Sequence, residues 1–205
     1  MIRKSLTQIF NEEGGDKGSL FCHQNSTENI AHNYTAIYES YMDPYRDKSF
    51  SFLEIGLWCP YFPGASVRAW SRYFTEAEYY GIDIVDCAHL EGNRIHIDII
   101  DQTSPAQLTS YIKEKKEFKF IIDDGVHEEE AITTSLGYLF PKLQSGGVYF
   151  IEDLHVVDIS RLHRLVDRDF STPFLPKKEV EYLNENIESC CFLAGEKMCV
   201  IRKTK

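Results

Sequence analysis

From Ser51 to the end of the chain, short apolar runs rich in β-branched and aromatic residues alternate with amphipathic stretches. SFLEIGL (51–57) predicts a buried strand that ends at a glycine turn. ASVRAWSRYF (65–74) follows with helical spacing and places Val67, Trp70 and Phe74 on one face. EYYGIDIV (78–85), RIHIDII (94–100), FKFIIDDG (118–125) and VYFIED (148–153) predict four more strands. Between them come a helix opened by Pro105 and a helix over residues 128–140 with acids in its first turn. SRLHRLVDRDF (160–170) carries the same amphipathic pattern and predicts another helix, with Arg161, Arg164 and Arg168 on a solvated face. The end of the chain breaks the alternation: ESCCFLAGEKMCVIRK holds two strand-like runs around Ala194, Gly195 and Glu196, a hairpin signal.

Strand and helix in strict alternation predict an α/β fold, a Rossmann-like doubly wound sheet with helices on both faces. The sheet is mostly parallel, and the C-terminal hairpin adds an antiparallel edge. Sheets of this kind bind ligands beyond the carboxyl ends of their strands, near the point where strand order reverses. Residues 1–48 are more polar, with one helix expected over residues 31–41. They read as an N-terminal helical extension placed to cap a substrate, ahead of a single domain at 49–205.

Composition narrows the function. A chain of 205 residues, 43% hydrophobic and 26% charged, has enough apolar sequence for one well-buried domain. Its net charge of -10 argues against a nucleic-acid partner, which calls for a basic surface. The opening MIRKSLTQIF has no apolar core and no run approaches bilayer length, so neither a signal peptide nor membrane insertion is expected. Cys22, Cys59, Cys87, Cys190, Cys191 and Cys199 lack Cys-x-x-Cys spacing and read as reduced thiols of a cytoplasmic protein, without a structural zinc site.

The polar residues fall at predicted strand ends. Glu54 and Gly56 close the first strand, where a glycine lets a ligand approach the backbone; an ordinary strand-to-turn junction is the alternative. Asp83 closes the second, where a carboxylate can accept both ribose hydroxyls or simply serve a turn. Asp101 and Gln102 close the third, within reach of an adenine edge or again as turn residues. IIDDGVH puts Asp123, Asp124 and His127 at one tip, and FIEDL puts Glu152 and Asp153 at the next. Four carboxylates in one cleft repel unless a cation compensates them, and oxygen donors favour a hard ion such as magnesium, manganese or calcium. The bland alternative is four solvated helix caps.

In family order, the segments GGDKGS, HNYTAIYE, FLEIG, GASVRAWSRYF, GIDIVD, IDQTSP, IIDDGVH and GGVYFIEDLH make the chain similar to a known group. It resembles the class I S-adenosylmethionine-dependent methyltransferases, and among them the metal-dependent O-methyltransferases of macrolide sugars. The resemblance implies S-adenosylmethionine held by Glu54, Gly56, Ser66, Asp83, Asp101 and Gln102. It implies Mg2+ (or Mn2+) on Asp124, Glu152 and Asp153, with His127 as general base. The acceptor it implies is a small molecule or glycan bearing a sugar hydroxyl. The family's N-terminal assembly domain has no counterpart here, so a homo-oligomer does not carry over with the rest.

Two positions depart from the family. EIGLW has Trp58 where a second glycine is usual, and DDGVH has Val126 where serine is common. His32 and His155 read as substrate contacts, and the remaining histidines, His23 among them, have no such context. Rival readings are an O-methyltransferase for a catechol-like diol and a cofactor-binding module without transferase activity. A dinucleotide oxidoreductase fits poorly, since no G-x-G-x-x-G follows the first strand.

Overall fold

The central sheet orders the molecule. In the computed structural model, which describes residues 3–21 and 28–205, seven strands form one sheet. They are β1 (Ser51–Ile55), β2 (Glu78–Asp83), β3 (Ile95–Ile99), β4 (Phe118–Asp123), β5 (Leu143–Ile151), β6 (Ile187–Leu193) and β7 (Met198–Lys203). Their spatial order is β3-β2-β1-β4-β5-β7-β6, with every pair from β3 to β5 parallel and β7 antiparallel to both β5 and β6. The α/β class, the doubly wound parallel sheet and the closing hairpin are as the sequence pattern predicts. Strand order reverses between β1 and β4, so the cleft expected of such a sheet opens over the tips of those two strands.

Among the described residues six α-helices cover the faces: α1 (Leu6–Glu13), α2 (Thr35–Met42), α3 (Ala65–Tyr73), α4 (Pro105–Lys113), α5 (Glu129–Leu139) and α6 (Lys177–Asn186). The period of two along each strand sends neighbouring side chains to opposite cores. Phe52, Tyr79, Phe120 and Phe150 pack with Phe10 of α1, Tyr38 of α2 and Trp70 of α3. Leu53, Ile121, Tyr149 and Ile201 pack with Leu108 of α4, Ile132 and Leu136 of α5 and Leu183 of α6. A fully buried side chain of this size stabilises the fold by roughly 1.5–3 kcal/mol. The two N-terminal helices thus share one core with the sheet.

Several elements depart from the sequence pattern. The stretch 160–170 is a short 3-10 turn over Leu162–Leu165, not an α-helix. Leu162, Leu165 and Phe170 are buried as an amphipathic helix would bury them, but Arg168 takes a positive φ of 57°, which ends helical propagation. Helix α1 falls in a region read only as polar extension; Ser5 and Gln8 close a capping box at its start. Helix α6 is a second unforeseen element, beginning after Pro176. Strand β1 stops at Ile55, two residues short of the expected run, because Gly56 turns with φ 85°.

The five described cysteines are free thiols. Cys22 and His23 lie outside the described residues. No helix among the described residues is long and apolar enough to cross a membrane.

Candidate active site

The turn after β1 is packed directly on the tip of β4. A Cβ on Gly56 would stand 2.0 Å from the Asp124 carbonyl oxygen, so only glycine fits, and its positive φ agrees with that. The next two residues are fixed by Asp83 at the end of β2. Its Oδ2 accepts the backbone N–H of Leu57 (2.7 Å) and of Trp58 (2.8 Å), and its Oδ1 accepts that of Val85 (2.8 Å). This carboxylate therefore holds the glycine-poor EIGLW turn in shape.

Beside that turn lies a cavity of about 360 Å³ over the tips of β1, β2, β3 and β4. Gly56, Asp83, Asp101, Gln102 and Asp124 line it, with apolar walls from residues such as Ile82 and Val126. Trp58, 53% exposed, stands at its edge. Asp101 is engaged in its own turn, accepting from the N–H and hydroxyl of Thr103. Gln102 is committed at both ends: its Nε2 donates to Asp123 Oδ1 (3.2 Å) and its Oε1 accepts the Val126 N–H (2.9 Å).

Two of the residues expected around the cofactor lie elsewhere. Glu54 has no exposed surface; it accepts hydrogen bonds from the Tyr79 hydroxyl (2.5 Å) and the Trp70 indole N–H (3.4 Å). Burial raises its pKa. Ser66, in the first turn of α3, lies near Glu54 and lines a smaller hollow shared with Gly56 and Asp124. Asp123 points away from the cleft, its carboxylate taken by Tyr149, Ser135 and Gln102.

On the other side of Asp124 the carboxylates gather. Asp124, His127 and Asp153 each offer a ligand atom within 4.8 Å of the others. His127 Nε2 is 3.7 Å from Asp124 Oδ1 and 3.8 Å from Asp153 Oδ2. Both His127 (φ 51°) and Asp153 (φ 52°) hold a left-handed backbone, which Asp and His adopt more readily than most side chains, and the two face each other across the cleft. Glu152, 1% exposed, turns inward: it accepts from the Tyr38 hydroxyl and, at 2.9 Å, from Lys17 Nζ.

Lys17 is the residue that sequence reasoning missed. Its ammonium, nearly sealed from solvent, donates to Asp124 Oδ2 as well as to Glu152 and sits 3.9 Å from Glu54. Burial would lower its pKa, but the carboxylates of Asp124, Glu152 and Glu54 hold it well above the ordinary lysine range. One ammonium does not balance the cluster: burial, and then the charge of Asp124, push Glu152 well above the usual carboxylate range. Asp153 differs. Although burial opposes it, hydrogen bonds from His32 Nδ1 (2.8 Å) and the Tyr34 hydroxyl (2.6 Å) hold it below that range. The same hydrogen bond raises the pKa of His32. His155 reaches only to 4.0 Å of Asp153.

Lys17, His32, Tyr34 and Tyr38 all come from GGDKGS and HNYTAIYE, so the segment before the sheet supplies the partners of three of the tip carboxylates. The spacing of Tyr34 and Tyr38, four residues apart on one helix face, was the available signal. Among the described residues, Asp124 Oδ1 and Asp153 Oδ2 accept no hydrogen bond, and both face His127. Two free carboxylate oxygens within surplus negative charge suit a hard divalent cation. Asp124 and Asp153 fit that role directly, and Glu152 meets it only through an oxygen shared with Lys17 or Tyr38.

This fold is that of the class I methyltransferases, and part of the chain is similar in sequence to O-methyltransferases. It is 38% identical over 126 residues to the 8-demethyl-8-alpha-L-rhamnosyl tetracenomycin-C 2'-O-methyltransferase of Streptomyces olivaceus, a match covering 60% of this chain and 33% of that protein. The demethylmacrocin O-methyltransferase of Streptomyces fradiae is also 38% identical, over 60% of this chain and 32% of that protein. The chain thus matches about a third of the length of these relatives. Among solved structures, the MycE methyltransferase of the mycinamycin pathway, in complex with Mg, SAH and mycinamycin VI, superposes with a TM-score of 0.79. Sequence identity is 23%, over 99% of this chain and 55% of that one. No family model matches the chain.

Proposed function

We propose that this chain transfers the methyl group of S-adenosylmethionine to a hydroxyl of a sugar within a glycoside, in a reaction that requires Mg2+ or Mn2+. The observation that carries this reading is the place of Asp124: it lines the cavity over β1–β4 and also faces His127 and Asp153 across the adjoining cleft. A nucleoside-sized cavity and a carboxylate cluster then share one wall, as methyl transfer to a hydroxyl demands.

In this reading Gly56 gives the cofactor close backbone approach, and Asp83 faces its ribose while keeping the EIGLW turn in shape. Asp101 and Gln102 border the adenine. Glu54 and Ser66 act from behind the turn rather than on the cofactor itself. Asp124, Glu152 and Asp153 would hold the divalent ion. Bound there, it supplies a Lewis acid that eases ionisation of an acceptor hydroxyl. His127 Nε2 takes the hydroxyl proton as the oxygen attacks the methyl carbon; the sulfur–methyl bond breaks, and its electron pair stays on sulfur to give S-adenosylhomocysteine. The described residues of the N-terminal segment form the acceptor side of the cleft through His32 and its neighbours, and so act as part of the site as well as a cap.

The rhamnosyl group in the name of the Streptomyces olivaceus relative favours a deoxyhexose acceptor over a catechol. The net charge of -10 disfavours nucleic acid. Free thiols suit a cytoplasmic enzyme. The test is incubation with S-adenosylmethionine, Mg2+ and a panel of rhamnosides, other glycosides and catechols, read by mass spectrometry. A mass gain of one methylene on a glycoside is expected. Methylation of catechols alone, or binding of the cofactor with no transfer to any acceptor, contradicts the reading.

A further inference from the structure

Lys17 is tied down from both sides. Its backbone oxygen accepts the N–H of Thr35, the first residue of α2 (3.1 Å), and the neighbouring Asp16 oxygen accepts that of His32 (2.8 Å). Its ammonium bridges Asp124 at the tip of β4 and Glu152 after β5, residues 107 and 135 positions away. The ion pair therefore clamps the N-terminal segment, β4 and the β5 tip together at the point where the cleft carboxylates meet. Of the two oxygens of Asp124, Lys17 takes Oδ2 and leaves Oδ1 turned to the cleft.

We infer, resting on the metal-dependent reading above, that Lys17 is a positioning residue. Its ammonium is a built-in monovalent cation that holds Asp124 and Glu152 in place before a divalent ion arrives, so the cluster stands assembled when empty. The physical reason is charge. Without Lys17, Glu54, Asp124, Glu152 and Asp153 would crowd one low-dielectric region with no buried ammonium among them, and mutual repulsion would drive them apart. Lys17 prevents this at a cost in metal affinity, since a positive charge beside the cleft also repels an incoming cation.

Two consequences separate this role from simple space-filling. In Lys17→Met, which keeps the volume and loses the charge, the more negative cluster binds Mn2+ about tenfold more tightly than wild type. The variant's stability also comes to depend on the ion: its melting temperature falls in chelator and recovers a larger share with Mn2+ than wild type gains. In Lys17→Arg the charge remains on a differently shaped head, so Mn2+ affinity stays within about threefold of wild type while turnover falls.

The experiment measures free Mn2+ by electron paramagnetic resonance and melting by calorimetry, on the full chain, for wild type and both variants. Tighter Mn2+ binding and a larger Mn2+-induced melting shift in Lys17→Met than in wild type support the inference. Equal affinity and equal shift in the two proteins overturn it and leave the metal site standing. Failure of Lys17→Met to fold even with Mn2+ present also overturns it, because the divalent ion was to replace the lost charge. Absence of Mn2+ binding to wild type removes the metal-dependent reading and this inference with it.

Discussion

Gly125 makes room for Gln102. A Cβ at position 125 would stand 1.7 Å from Gln102 Oε1, so Gln102 keeps its present place only while a hydrogen occupies that side of the backbone. Gln102 in turn holds the Val126 N–H and Asp123, which fixes residues 124–127 between cofactor cavity and carboxylate cleft. Gly125→Ala must displace Gln102 and break both hydrogen bonds, at a cost of about 1–3 kcal/mol of stability. Denaturant titration checks this. In a Gln102→Ala background, where the obstacle is gone, Gly125→Ala is expected to cost much less; full additivity of the two substitutions would show that they do not meet.

Asp83→Ala removes the acceptor of three backbone N–H groups in two loops. Stability is expected to fall by about 1.5–3 kcal/mol, the range of a hydrogen bond to a charged group, because the freed donors find only partial replacement in water. Affinity for S-adenosylhomocysteine falls along with it. Calorimetry on a folded variant gives both numbers, and unchanged affinity would place Asp83 outside the cofactor site, in the turn alone.

His127→Ala separates a proton acceptor from a structural residue. Its imidazole faces the two free carboxylate oxygens and takes part in no helix cap, since Glu128 is the N-cap residue of α5. The expected loss is about 10²–10⁴ in kcat, with cofactor binding nearly intact and partial recovery as the pH is raised and hydroxide replaces the imidazole. A melting temperature that drops while kcat stays within a fewfold of wild type would contradict the assignment.

The parallel sheet was legible in the sequence because each inner strand is buried on both faces and so reads as a continuous apolar run: FKFIID, for instance, is clear without its neighbours. The carboxylates at strand ends were legible for the same reason, since a strand end is a local feature. Lys17 was not, because its meaning depends on Asp124 and Glu152, and no local pattern tells a polar loop lysine from one folded into the core. Glu54 shows the converse, a residue whose surroundings a strand-tip position does not reveal. Its position at a strand tip suggested the cofactor, but strand alternation turns it into the layer of Trp70 and Tyr79. Gln102 and Asp83 sit at the strand ends the pattern predicts, yet their carboxamide and carboxylate are already engaged by backbone N–H groups of other loops, a long-range pairing no local pattern encodes.

The most direct test of the whole account is the rate of S-adenosylhomocysteine formation with a rhamnoside acceptor, measured against free Mg2+ or Mn2+ concentration in chelator-buffered solution. Cofactor binding is followed in parallel. The account predicts saturable activation by the ion, loss of at least about a hundredfold in rate when it is stripped, and cofactor affinity that largely survives stripping, because the cavity shares only Asp124 with the cluster, while Asp83 and the apolar walls stand apart from it. Full activity in thoroughly metal-free protein would contradict it and would leave Asp124, Glu152 and Asp153 without the role proposed for them.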